Sequence, residues 1–100
     1  MAYNGWTNYE TWCVKLHMDN DESSQRYWDR QAREAVRDYE GPDGCIPVLA
    51  DQLEDWHAEG MPEVTGIYFD LLNAAFSEVN WHEIARNLVA EYREESDATS

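Results

Sequence analysis

The chain has 100 residues, of which 21 are acidic and 7 basic, for a net charge of −14. A chain of this length makes one domain, and an apolar fraction of 43% with five Trp and six Tyr is enough for one compact core. The charge excludes nucleic acid and anionic membrane as direct partners, since both bind through basic surface.

Thr7-Asn8-Tyr9-Glu10 has the form of a capping box, in which hydroxyl and carboxylate satisfy free backbone donors. It predicts a first helix over about 8–18, preceded by a turn at Asn4-Gly5, with Tyr3 and Trp6 placed to pack back. Asp19-Asn20-Asp21 breaks this helix. Ser23 or Ser24 then caps a second one to about residue 39, whose buried face is marked by Trp28, Ala32, Ala35, Val36 and Tyr39. Gly41-Pro42-Asp43-Gly44 predicts a stop.

The third helix is expected over about 47–59, with Pro47 in its first turn and a stripe of Leu49, Leu53 and Trp56. Gly60 and Pro62 end it. A fourth is expected over about 63–77, with Ile67, Leu71, Leu72, Ala75 and Phe76 turned inward. Gly66 near its start leaves a short strand at 64–69 as the alternative, which would make the fold α+β. Asn80-Trp81-His82-Glu83 is a second capping box. It opens a fifth helix to about residue 94, with Ile84, Ala85, Leu88, Val89 and Tyr92 on one face. Residues 96–100 read as a polar tail. The expected fold is therefore all-α: a compact bundle of about five short helices in a single domain over residues 1–95.

The charge is unevenly placed. Between positions 38 and 86 there is no Lys or Arg, while Asp38, Glu40, Asp43, Asp51, Glu54, Asp55, Glu59, Glu63, Asp70, Glu78 and Glu83 all fall in or at the edge of that stretch. On the third helix Asp51, Glu54, Asp55 and Glu59 share one face, opposite the Leu49–Leu53–Trp56 stripe. Like charges four apart oppose helix formation by a few tenths of a kcal/mol each. Along the axis Asp51, Asp55 and Glu59 stand about 6 Å apart, against ~3.4 Å between charges on a DNA strand. One helix is too sparse to copy a strand, but two or three acidic faces side by side approximate it. The arginines gather instead on the second helix, at Arg26, Arg30, Arg33 and Arg37, where Glu22 and Asp29 stand at i,i+4 spacing to Arg26 and Arg33.

Catalytic and metal frames are not found. Asp19-x-Asp21-x-Ser23 begins like a calcium loop but has Ser24 where Gly is needed and Arg30 where Glu is needed. His17, His57 and His82 are scattered, so no metal or other cofactor is expected. No nucleophile sits in a recognisable frame, and Cys13 lies within a helix rather than at the N-terminus that would activate it. A binding protein is expected, not an enzyme. There is no basic-then-apolar leader and no apolar run near the roughly 20 residues of a membrane span, so a cytoplasmic protein with reduced thiols is expected. Of the five Trp, most are expected in the core, with Trp12 as the exposed anchor and Tyr9 and Leu16 filling the core beside it.

The opening Tyr3-Asn4-Gly5-Trp6-Thr7-Asn8-Tyr9-Glu10-Thr11-Trp12 resembles a family of small proteins, found largely in phages and mobile elements, that begin with this string. The similarity continues loosely through residues 16–21, and Cys13 stands where the family often has Asn. The family has no defined activity. Its phage context implies an inhibitor of bacterial defence, such as an anti-CRISPR protein that imitates the charge of DNA. The expected partner is then a basic surface on a CRISPR effector or restriction enzyme in the host cytoplasm. The contact residues would be Asp43, Asp51, Glu54, Asp55, Glu59, Glu63 and Glu78, with Trp12 as anchor. The alternative is a non-catalytic interaction module, or an accessory phage or plasmid protein, using an aromatic and apolar patch. A homodimer through an apolar helix face is compatible with either.

Overall fold

In the computed structural model the chain forms five α-helices among the described residues: α1 (Tyr9–Asn20), α2 (Glu22–Asp38), α3 (Gly41–Glu59), α4 (Ile67–Glu78) and α5 (Trp81–Thr99). Backbone is described for residues 5–39 and 41–99, and side chains for 5–39 and 44–92. The all-α expectation holds. The alternative strand at 64–69 is not formed: 64–66 end an irregular connection, and 67–69 open α4. The radius of gyration, 14.4 Å, is near the about 13 Å expected for a compact chain of this length.

The helix ends differ from expectation in instructive ways. Asn8, not Thr7, caps α1: its Oδ1 accepts the Thr11 N–H at 2.9 Å. Asp21 caps α2 in place of Ser23 or Ser24, accepting from both of their N–H groups. The stop expected at 41–44 is absent. α2 ends at Asp38, with the Tyr39 N–H bonded to the Ala35 carbonyl, and the glycine- and proline-rich run forms the start of α3. Proline suits a first helical turn, where its missing N–H would have no partner. Pro47, expected to open the helix, lies inside it at the cost of one ladder bond. α5 runs on to Thr99, past the expected end near residue 94 and through most of the expected tail. The turn expected at Asn4-Gly5 with Tyr3 lies partly outside the described residues, though Gly5 itself is in a turn with φ 93°.

The core is built by α2, α3 and α5. Trp28, Ala32 and Ala35 meet Cys45, Leu49, Ala50 and Leu53, and both rows meet Trp81, Ile84, Ala85, Leu88 and Val89. α3 and α5 share the most extensive contact. Leu49, Leu53 and Ile84 are fully buried, each contributing about 1.5–3 kcal/mol by leaving water. Tyr39 and Trp56, expected in the core, are exposed, and Val36 and Tyr92 are half-buried.

α1 packs across this core with an unusual inner face. Its buried residues are Thr11, Lys15 and Met18, while Tyr9 and Leu16 are exposed. The Lys15 ammonium donates to both Asp19 oxygens at 2.7 and 2.9 Å and to Glu91 Oε1 at 3.2 Å, tying α1 to α5. α4 is the outlier. Among the described residues its backbone comes close only to that of α1, its Phe76 ring meets Trp81 of α5 at 5.2 Å, and none of its residues is buried.

Candidate protein-interaction surface

The placement of α4 begins with the opening motif. Thr7 does not cap its own helix. Its N–H and hydroxyl donate to the Glu83 carboxylate at 3.0–3.2 Å. Asn8 Nδ2 donates to the Glu78 carbonyl at 2.7 Å, and the Thr11 hydroxyl donates to Asn8 Oδ1 at 2.6 Å while accepting the Asn80 N–H at 2.8 Å. Asn80 Oδ1 in turn accepts the Glu83 N–H at 3.0 Å. The second box thus keeps its local half, Asn80 to the Glu83 N–H, while the Glu83 carboxylate crosses to Thr7 and Thr11 takes the Asn80 N–H in its place. Thr11 is fully buried at the centre. Thr11→Val should therefore cost about 1–3 kcal/mol, because it strands the Asn80 N–H. Thr11→Ser should cost less, and urea denaturation of the two variants measures the difference.

This network holds the α4–α5 turn against the start of α1, and α4 leads away from it. At its other end α4 begins at Gly66, whose φ of 66° suits glycine, with no side-chain cap. The helix is apolar almost all round, with only Asp70 and Asn73 polar between positions 67 and 76. Such a helix belongs in an interior, yet Ile67 is 66%, Tyr68 71%, Phe69 49% and Leu71 61% exposed. Ile67 and Leu71, one turn apart, were expected to face inward and do not. Leu72 and Phe76 are half-buried, and Ala75 is exposed.

Between α1 and α4 opens a groove of about 720 Å³, within the range of about 300–1,000 Å³ typical of binding clefts. Val14, Met18, Leu72, Phe76 and Val79 give it an apolar floor, with Glu10, His17 and Asp21 among its polar lining. His57 reaches it from α3. Its ring lies between those of Trp28 (6.3 Å, nearly parallel) and Trp81 (5.2 Å), and its Nδ1 is 2.7 Å from the Leu53 carbonyl.

The expected acidic residues lie as follows. Asp51, Glu54, Asp55 and Glu59 are all exposed on α3, and none joins an ion pair among the described residues. Glu63 is exposed in the α3–α4 connection, and Glu78 is exposed at the end of α4, whose backbone, among the described residues, lies close to that of α1 and not of α3. The side chain of Asp43 lies outside the described residues. Trp12 is half-buried, with its ring tilted against Tyr9 at 5.5 Å. The tryptophan left open is Trp56, 52% exposed and stacked on Tyr27 at 4.8 Å. On α2, Arg26 pairs with Glu22, Arg33 with Asp29 and Arg37 with Asp38, so these arginines serve their own helix. Arg33 also lies over the Tyr92 ring, 5.9 Å from its centroid.

The carboxylates of the calcium-like run are taken up structurally, Asp19 by Lys15 and Asp21 by the α2 cap. Among the described residues no three His, Cys, Asp or Glu converge on a metal-binding arrangement. Cys45 is buried in the core, and half-buried Cys13 lines the groove. Among the described residues no helix is long and apolar enough to cross a membrane.

No curated protein and no solved structure matches this chain. Against known families, residues 1–96 match a family of unknown function. That match spans nearly the whole chain, and the protein belongs to this family, DUF7249.

Proposed function

We propose that this protein is a non-catalytic interaction module that anchors on a partner protein through the exposed apolar flank of α4 and is drawn to it by its acidic surface. The observation that carries this reading is the exposure of Ile67, Tyr68, Phe69 and Leu71 in the first turns of α4, large apolar side chains left in water, with Ile67 and Leu71 one turn apart on one flank. Apolar patches of this kind, rimmed by polar residues, mark binding sites. Here the rim is acidic: Glu63, Asp70 and Glu78 flank the helix or lie on it, all exposed. The partner face it fits is apolar at its centre with Lys and Arg around it. The long-range field of a −14 chain would speed that encounter.

The second reading is a DNA mimic, an anti-CRISPR or anti-restriction inhibitor occupying a basic nucleic-acid-binding surface in a bacterial host. Its support is the exposed acidic row Asp51, Glu54, Asp55 and Glu59, which joins no ion pair among the described residues, together with the resemblance of the opening motif to a family of phage proteins. The two readings separate in one experiment. A partner is captured from bacterial lysate and identified, and its affinity is measured for the wild type, for Ile67→Asp/Leu71→Asp and for Asp51→Lys/Asp55→Lys/Glu59→Lys, with and without competing DNA. The module reading expects the α4 variant to bind at least about 30-fold more weakly, as for a hot spot of about 2 kcal/mol. The triple reversal should then alter mainly association rate and salt dependence. The reverse pattern, with DNA displacing the protein, supports the mimic and overturns the module.

A further inference from the structure

We infer that the groove between α1 and α4 receives a basic amphipathic helix of the partner protein. The inference rests on the interaction-module reading and assigns the chemistry of what enters the groove. Two roughly 12-residue helices bound it, and Val14, Met18, Leu72, Phe76 and Val79 line it with branched, thioether and aromatic side chains. That is the shape that takes the apolar face of a helix, read as anchors at i, i+3, i+4 and i+7.

Charge selects the sign of the occupant. The lining includes the carboxylates of Glu10 and Asp21 and has no Lys or Arg. The carboxylates of α4, Asp70 and Glu78, lie outside the lining, and the helix carries no basic residue. The one lysine of α1, Lys15, is buried and held by Asp19 and Glu91, so it does not offset the acids of the groove. On neighbouring α2, Arg26 is already paired with Glu22. The lining histidines, His17 and His57, are the only side chains there able to carry positive charge. A helix flanked by Asp or Glu would meet like charge, and one flanked by Lys or Arg would meet its complement.

A second copy of this chain does not meet the requirement. Its arginine-rich helix is α2, and the apolar face of α2, at Trp28, Ala32 and Ala35, is spent in the core. Among the described residues no other helix combines an exposed apolar face with basic flanks: α4 has the face but not the charge. The occupant therefore comes from another protein.

The test uses synthetic peptides and the intact protein. The probe is an amphipathic Leu/Lys helix of about 18 residues with Leu at i, i+3, i+4 and i+7. It is compared with a Leu/Glu peptide of the same pattern and a scrambled Leu/Lys peptide of the same composition, the scramble controlling for non-specific attraction to an acidic protein. Calorimetry should show the patterned Leu/Lys peptide binding at least tenfold more tightly than either control. Amide shifts should centre on Val14, Leu72 and Val79. Ala75→Arg, at an exposed lining position, should weaken this binding at least tenfold while circular dichroism stays unchanged. Equal binding of the scramble or of the Leu/Glu peptide overturns the inference, as does an Ala75→Arg variant that binds normally, or a dimer in sedimentation whose interface is the groove. If no peptide binds but Ile67→Asp/Leu71→Asp still abolishes partner capture, the groove assignment falls and the module stands. If the peptide binds in the groove while that double variant captures its partner normally, the groove stands and the outer-flank anchor falls.

Discussion

Removing the carboxylates of Asp19 and Glu91 together, as Asp19→Ala/Glu91→Ala, should destabilise the protein by about 3 kcal/mol, whereas Lys15→Met should cost little. The asymmetry follows from where the charges sit. The Lys15 side chain is 4% exposed, while those of Asp19 and Glu91 are 46% and 51% exposed. Without the carboxylates, the ammonium stays in the interior with no anion and loses all three of its hydrogen bonds. Without the ammonium, both carboxylates turn to water, and a Met of similar length fills the space beside Met18 and Thr11. The half-exposed acids keep part of their hydration, which places the expected loss at the low end of the range for broken buried pairs, about 3–5 kcal/mol. The double variant also relieves repulsion in a chain of net charge −14, but surface terms of that kind are worth tenths of a kcal/mol. Urea denaturation of the three proteins measures the difference. An equal loss in Lys15→Met and the double variant would show that side-chain volume, and not charge burial, is what matters at this position.

The same residue shows where sequence reasoning stops. Hydrophobic spacing identified the inner faces of α2 and α5 correctly at Trp28, Ala32, Ala35, Ile84, Ala85, Leu88 and Val89, because in those helices apolar residues recur on one side only. α1 has no such side. Its buried face is Thr11, Lys15 and Met18, and burial there depends on partners tens of residues away in sequence, Asn80 and Glu91. Local chemistry also found both capping boxes as polar clusters but not their crossing. A Thr hydroxyl has equal use for a backbone N–H in its own turn and for a carboxylate 76 residues away, and only the fold decides between them. At 41–44 glycine and proline read as a stop, but the same residues suit a first turn, and the joint between α2 and α3 is shorter than any loop they suggest.

The candidate site was legible in composition and not in pattern. A helix apolar on nearly every side has no single inner stripe to find, so assigning Ile67, Leu71, Leu72, Ala75 and Phe76 inward chose one face among equals. The usable signal was how narrow the polar stripe is, Asp70, Asn73 and Ser77 on one side, against apolar residues over the rest of the helix, more than one neighbouring helix covers. The acidic row on α3 was legible in full, because charges at i, i+3, i+4 and i+8 opposite fully buried Leu49 and Leu53 have nowhere to go but solvent.

Trp28→Ala should be the most damaging single substitution at an aromatic position, lowering stability by about 3–5 kcal/mol. Trp28 is 2% exposed, in the core between α2 and α3. It makes edge-to-face contacts with Tyr27 at 4.9 Å and Trp56 at 6.0 Å, and lies parallel to His57 at 6.3 Å. Truncation removes the indole's transfer free energy and leaves a cavity bounded by rings too rigid to collapse into it. For a domain of about 100 residues each kcal/mol lowers Tm by about 4–8 °C, so calorimetry should show a fall of at least about 12 °C. Trp28→Phe keeps a ring in the same place and should lose less than half as much. The substitution also reaches the groove, because His57 is held there by Trp28 on one side and Trp81 on the other. Trp28→Phe, still folded, should therefore weaken the Leu/Lys peptide by a few fold, through a His57 ring less firmly held. Intact peptide affinity in Trp28→Phe, beside a lowered Tm, would show that the groove is built by α1 and α4 alone and owes nothing to the aromatic core behind it.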